Sequence, residues 1–211
     1  MGNVNFEIGA TTVLGPLLAA FGLLLALRAR RGRAGWTGRH AVTRLLAAAY
    51  AAGVLSLTIF PIVVTYGEFA NQMPWTNQIN WIPMPSPDPS IVANVILTVP
   101  LGMLLPLMSA RVGSKGRATA VTAAVSLSIE LTQLLMYVVC NNARLTDTTD
   151  LLVNTLGGFL GFVVLHRAAR IPALARLLHT FALPGSAFAS NVQTFARPTL
   201  RPAEEATATR A

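Results

Sequence analysis

The sequence predicts an all-α, polytopic transmembrane helical bundle of about five spans, on three observations. The 211 residues are 53% hydrophobic and only 11% charged, where a soluble domain is about a quarter charged. Five apolar stretches are each long enough to cross about 30 Å of hydrocarbon. The basic residues fall between and after these stretches rather than within them, as topological signals do.

The spans are expected at about 8–27, 45–64, 91–110, 118–139 and 150–168. Glu7 precedes the first and its arginines follow it, the reverse of a cleavable signal peptide. Arg28, Arg30, Arg31, Arg33, Arg39 and Arg44 follow the first span. Arg111, Lys115 and Arg117 follow the third, and Arg167, Arg170, Arg176, Arg197, Arg201 and Arg210 follow the fifth. Of the 16 Lys and Arg residues, only Arg144 falls on the other side. The positive-inside rule therefore predicts the N-terminus outside and the C-terminus cytoplasmic. The same distribution turns the net charge of +8 away from nucleic acid and toward a bilayer partner.

Residues 65–90 form the long external segment. Trp75 and Trp81 suit the headgroup level, and Pro83, Pro85, Pro87 and Pro89 argue against a helix there. The predicted organisation is a transmembrane domain over 1–170 and a cytoplasmic tail over 171–211. Leu174, Leu177, Leu178 and Phe181 share a helical face with which residues 172–182 would either lie along the inner surface or simply extend the fifth span as a fraying end. From about 183 the tail, rich in Ala, Pro, Ser, Thr and Arg, reads as disordered or partly interfacial. The single Cys140 matches no metal-ligand spacing and reads as a small apolar residue at a helix end. No internal repeat is found.

The fourth span carries one charge, Glu130. A carboxylate near the middle of a membrane helix costs roughly 2.5–3.5 kcal/mol on insertion scales, so it is expected to face a partner or a wet cavity. Ser126, Glu130, Gln133 and Tyr137 share one stripe. Asp147, Asp150, Asn154, Gly157 and Gly161 form another at alternating three- and four-residue steps, and Asn94 lies about one turn inside the third span. All lie toward the predicted outer side. Asn94, Glu130, Gln133, Arg144, Asp147, Asp150 and Asn154 are therefore expected to line one outward-facing, ligand-binding pocket. Plainer roles compete with this one. Asp147 reads equally as a helix cap, Arg144 as a loop base, Gln133 and Asn154 as interhelical hydrogen-bond partners, and the Gly157–Gly161 pair as a packing motif.

The ordered series Asn80–Trp81–Ile82–Pro83, Asn94 with Gly102, Glu130–Leu131–Thr132–Gln133, Arg144, Asp147, Asp150, Asn154–Thr155–Leu156–Gly157–Gly158 and Gly161 resembles the VanZ-like family of small polytopic membrane proteins. The resemblance covers residues 80–161 and reaches the first two spans and the tail with less force. The family's namesake is associated with low-level resistance to the glycopeptide teicoplanin, with no reaction firmly attached to the fold. The resemblance thus implies a multi-pass protein of the bacterial plasma membrane with a role in the cell envelope.

Three functions follow as expectations. The first is a non-enzymatic protein whose pocket binds a lipid-linked cell-wall precursor or the lipid-bearing antibiotic, acids and Arg144 suiting a ligand with both amine and phosphate or carboxylate groups. The second is a membrane-embedded enzyme acting on lipid or precursor headgroups. Glu130 would be its catalytic general base, and Asp147 and Asp150 would hold a divalent cation beside a diphosphate. Against it, His40, His166 and His179 all fall on the far side, and no Ser or Cys has an adjacent base. The third, a proton-coupled transporter, lacks the repeat that alternating access usually uses. No cofactor and no dedicated metal site is expected.

Overall fold

The computed structural model describes residues 3–68, 70, 73–83, 89–141 and 145–190. Five helices in this range are long and apolar enough to cross a membrane: α1 (Ala10–Arg30), α2 (Gly38–Thr58), α3 (Pro89–Met108), α4 (Lys115–Cys140) and α5 (Thr148–Ala168). A short helix, α6 (Pro172–Phe181), follows them.

Two small ladders accompany the helices, which the all-α expectation did not include. Strand β1 (Val4–Ile8) pairs antiparallel with β2 (Ile62–Tyr66), Val4 opposite Tyr66 and Ile8 opposite Ile62. Strand β3 (Ile79–Asn80) pairs in parallel with β4 (Thr146–Asp147). The first ladder also moves the expected second span. The apolar run to residue 64 does not stay helical, because Pro61 lacks an N–H and disfavours helix in the residue before it. Ile62–Val63–Val64–Thr65 is β-branched, which suits a strand. The helix instead starts at Gly38, taking in Arg39, His40 and Arg44.

The tightest packing is α5 against α3 and α4, and glycines allow it. A Cβ on Gly102 would collide with the Gly158 carbonyl, one on Gly161 with the Val99 carbonyl, and one on Gly158 with Thr122. The packing role read from Gly157 and Gly161 is thus what the structure contains. The α1–α2 hairpin leaves most of its apolar surface free, including Leu17, Leu23, Leu46 and Leu57, as a lipid-facing hairpin does. Its turn is pinned where Arg28 and Arg44 bracket the Trp36 ring, their guanidinium carbons 4.1 and 4.2 Å from its centre.

The tail departs from expectation. Leu183 N–H donates to the Leu107 carbonyl and Ala187 N–H to that of Ser109. Ala182, Leu183, Ala187 and Phe188 are buried. Residues 182–190 therefore close the end of the bundle opposite the ladders, with Phe188 tilted on the His179 ring at 5.0 Å. Composition hid this, because four apolar side chains in a Pro-, Ser- and Ala-rich run look sparse until α3 and α5 supply the surface they cover. Helix α6 keeps Leu174 and Leu177 exposed and is tied to α2 at its end, where Thr43 Oγ1 donates to the Phe181 carbonyl at 2.7 Å.

Candidate functional site

Helix α4 runs ten residues beyond Glu130 before ending at Cys140, about 15 Å at 1.5 Å per residue. Helix α5 does not start level with that end. Its N-cap, Asp147, lies beside Glu130 instead. The Asp147 N–H donates to Glu130 Oε2 at 3.0 Å, and Thr146 Oγ1 donates to the Glu130 carbonyl at 3.4 Å. Residues 79–80 descend to the same level, since β3 lies alongside β4. Two non-helical segments thus enter the bundle side by side. Irregular backbone at such depth is tolerated only when protein or a wet cavity surrounds it.

Side chains complete the cluster. Asp147 Oδ1 accepts from the Thr149 N–H at 2.7 Å, the helix-capping bond. Its Oδ2 accepts from Asn80 Nδ2 at 3.1 Å, while Thr148 Oγ1 donates to the Asn80 carbonyl at 2.9 Å. One turn along, Asn94 Nδ2 donates to Asp150 Oδ1 at 2.6 Å, tying α3 to α5. One turn deeper, Asn154 Nδ2 donates to Ser126 Oγ at 3.0 Å, tying α5 to α4. The burial is asymmetric. Glu130 and Asn154 are only 5% and 6% exposed, whereas Asn94, Asp147 and Asp150 are half-buried.

Of the residues read from the sequence, Asn94, Glu130, Asp147, Asp150 and Asn154 come together on α3, α4 and α5. Gln133 points elsewhere, its Nε2 donating to the Thr58 carbonyl at the end of α2 at 2.9 Å. Arg144 lies outside the described residues. Ser126 and Tyr137 share the buried stripe of α4 with Glu130, and the Tyr137 hydroxyl donates to the Met73 carbonyl. Asn80, Thr146 and Thr148 belong to the cluster but were not among the expected site residues. Asn80 stood in a quoted motif, yet nothing local signals that it pairs with Asp147 sixty-seven positions later.

Chemically, three carboxylates (Glu130, Asp147, Asp150) and three carboxamides (Asn80, Asn94, Asn154) gather where α3, α4 and α5 meet. Such a set accepts hydrogen bonds from a cationic group and donates through its amides to an anionic one. Among the described residues, no group of three or more His, Cys, Asp or Glu side chains is placed to hold a metal ion.

A family model described as VanZ/LLP1 matches residues 47–170, more than half of the chain. The chain belongs to the VanZ/LLP1 family. The VanZ match starts inside α2, further toward the N-terminus than the motif series at 80–161, and ends just past α5. It therefore contains every element of the polar cluster. With its five candidate spans, this VanZ-family chain is a multi-pass membrane protein. No curated protein and no solved structure matches it.

Proposed function

We propose that this chain is a non-enzymatic component of the bacterial plasma membrane. Its ladder end, bearing the N-terminus, faces outward, and its polar cluster binds the head group of a lipid-linked envelope ligand. That ligand is a lipid-linked cell-wall precursor or a lipid-bearing glycopeptide such as teicoplanin, and binding alters susceptibility to the drug. The observation that carries this reading is the buried Glu130 carboxylate beside Asp147, with Asp150 and Asn94 a turn away. A carboxylate in a membrane helix is expensive unless it has a task. Here two chain segments leave regular structure to reach it. The distribution of basic residues supports the orientation.

The test is drug susceptibility of cells carrying Glu130→Gln, normalised to the amount of protein in the membrane. Gln keeps the size of the side chain and an oxygen to accept the Asp147 N–H, so the fold and expression stay near normal. The reading expects the susceptibility effect to vanish. Full effect at normal protein level would make Glu130 structural. Arg144→Ala is expected to lose the effect as well, as the only base that the sequence places on this side.

A further inference from the structure

One cavity, of about 600 Å³, separates the α1–α2 hairpin from the α3–α4–α5 unit. Its walls are mostly apolar and select no ligand over the hydrocarbon of the bilayer. A second cavity, of about 440 Å³, lies at the end away from the ladders, where α3 passes into α4. Arg111 and Arg117 line it, together with Val112, Ala120 and Val121. The described carboxylates, Glu7, Glu68, Glu130, Asp147 and Asp150, all lie at the ladders or in the polar cluster. Every described Lys and Arg lies toward the opposite end, so no described acid neutralises the two guanidinium groups at this cavity.

The short connection between the two arginines is held in place by its own bonds. The Arg111 N–H donates to Ser109 Oγ at 3.2 Å, the Arg117 N–H to Ser114 Oγ at 3.3 Å, and Arg117 Nη1 to the Arg111 carbonyl at 3.3 Å. Within it, Val112 is buried with Ala118 and Phe162. A ligand therefore has little of this loop to order, which lowers the cost of binding. A guanidinium has several N–H donors. Arg117 uses one on the loop, and the Arg111 side chain uses none on the described residues. Two cations on one cavity with donors to spare suit a phosphate, which takes a guanidinium fork through two oxygens.

The apolar side of the cavity favours one kind of phosphate. Ala120 and Val121 lie about one turn beyond Arg117 in α4, a candidate span. From there Ala120, Ala124, Leu127 and Leu131 follow at four- and three-residue steps as one exposed stripe along the helix. A group held at the arginines thus has a hydrocarbon track leading from it into the bilayer. Basic pockets at the ends of membrane helices take anionic head groups in this way. We propose that Arg111 and Arg117 bind the phosphate of an anionic phospholipid such as phosphatidylglycerol, with one acyl chain along that stripe. Phosphatidylcholine carries a quaternary ammonium that offsets its phosphate, and free phosphate has no chain to place. The site lies at the other end of the bundle from the polar cluster and serves in either orientation, so it stands apart from the ligand proposed for that cluster.

The test is native mass spectrometry of the full chain in a neutral detergent, titrated with phosphatidylglycerol and read as the affinity for the first lipid bound. Arg111→Gln and Arg117→Gln are each expected to weaken it about fivefold, and the double variant by more than about tenfold. Arg30→Gln removes the same charge at the same end but outside the cavity, and is expected to change it by less than about twofold. Both cavity arginines are exposed, so thermal midpoints without lipid are expected to stay at the parent's. Equal weakening by all three single variants would reduce the effect to diffuse surface charge and overturn the site. Phosphatidylcholine is expected to bind about fivefold more weakly or worse, and equal binding would overturn the role of net charge. Ala120→Trp, which blocks the apolar side, is expected to weaken phosphatidylglycerol as well, and an unchanged affinity would overturn the path of the chain. Displacement of the lipid by inorganic phosphate at the lipid's own concentration would show a site for a free anion and overturn the choice of a phospholipid.

Discussion

The Asp147 backbone N–H donates to the Glu130 carboxylate at 3.0 Å, joining the start of one helix to the middle of another. This contact sets where α5 begins. It gives a buried acid a backbone partner and spends one of the free N–H groups at the α5 N-terminus. The negative groups around it also lie at the positive end of the α5 dipole, where Asp147 and Asp150 are favoured.

That bond separates shape from charge at Glu130. Glu130→Gln is expected to retain a thermal midpoint within a few degrees of the parent in detergent. Glu130→Leu leaves the Asp147 N–H buried and unpaired and is expected to cost roughly 1–3 kcal/mol, with a clear fall in the midpoint. Size-exclusion recovery after heating measures both. Equal midpoints for Gln and Leu would show that the bond does not hold the segment.

The α3–α5 crossing predicts a contrast between two glycines. Gly102→Ala drives a methyl group into the Gly158 carbonyl, a backbone atom that cannot swing aside. It is expected to cost about 1–3 kcal/mol and to lower the yield of folded protein. Gly53→Ala meets nothing within 4 Å and is expected to be neutral. Thermal recovery of the two variants side by side checks this.

The closing segment predicts a core effect from a region that reads as a tail. Phe188 is buried against Leu107, Leu165 and Ala182. Phe188→Ala is expected to destabilise by about 3–5 kcal/mol, seen as loss of folded protein on mild heating. A variant as stable as the parent would mean that residues 182–190 do not close the bundle.

Orientation is open to direct labelling. With Cys140 replaced by Ala, single cysteines at Trp75 and Lys115, both exposed, are placed at opposite ends of the bundle. An impermeant reagent added to intact cells is expected to label position 75 and spare 115. The reverse pattern would invert the topology and turn the polar cluster to the cytoplasm.

Part of the site was legible because helices repeat. Ser126, Glu130 and Tyr137 are all buried, as a shared stripe on α4 requires, and Asp147, Asp150 and Asn154 follow the same rule on α5. Gln133 shows where that rule stops. It sits one step round the same stripe, yet the end of α2 offered its amide a carbonyl, and periodicity carries no information about which neighbour lies beyond the helix.

The sequence by itself determined the five spans, the acid that needs a partner, and the family. Each of these is written in local composition, in 3.6-residue spacing or in an ordered motif. Tertiary structure alone decided that α2 stops at Thr58 so that Ile62–Tyr66 can pair with Val4–Ile8, and that residues 79–80 and 146–147 descend together to Glu130. It likewise decided that 182–190 seals the far end, and that a cavity separates the first two helices from the rest. These depend on contacts between residues far apart in the chain. Whether a polar group is satisfied, or a short apolar run is buried, is set by the partner brought to it, and local sequence does not encode that partner.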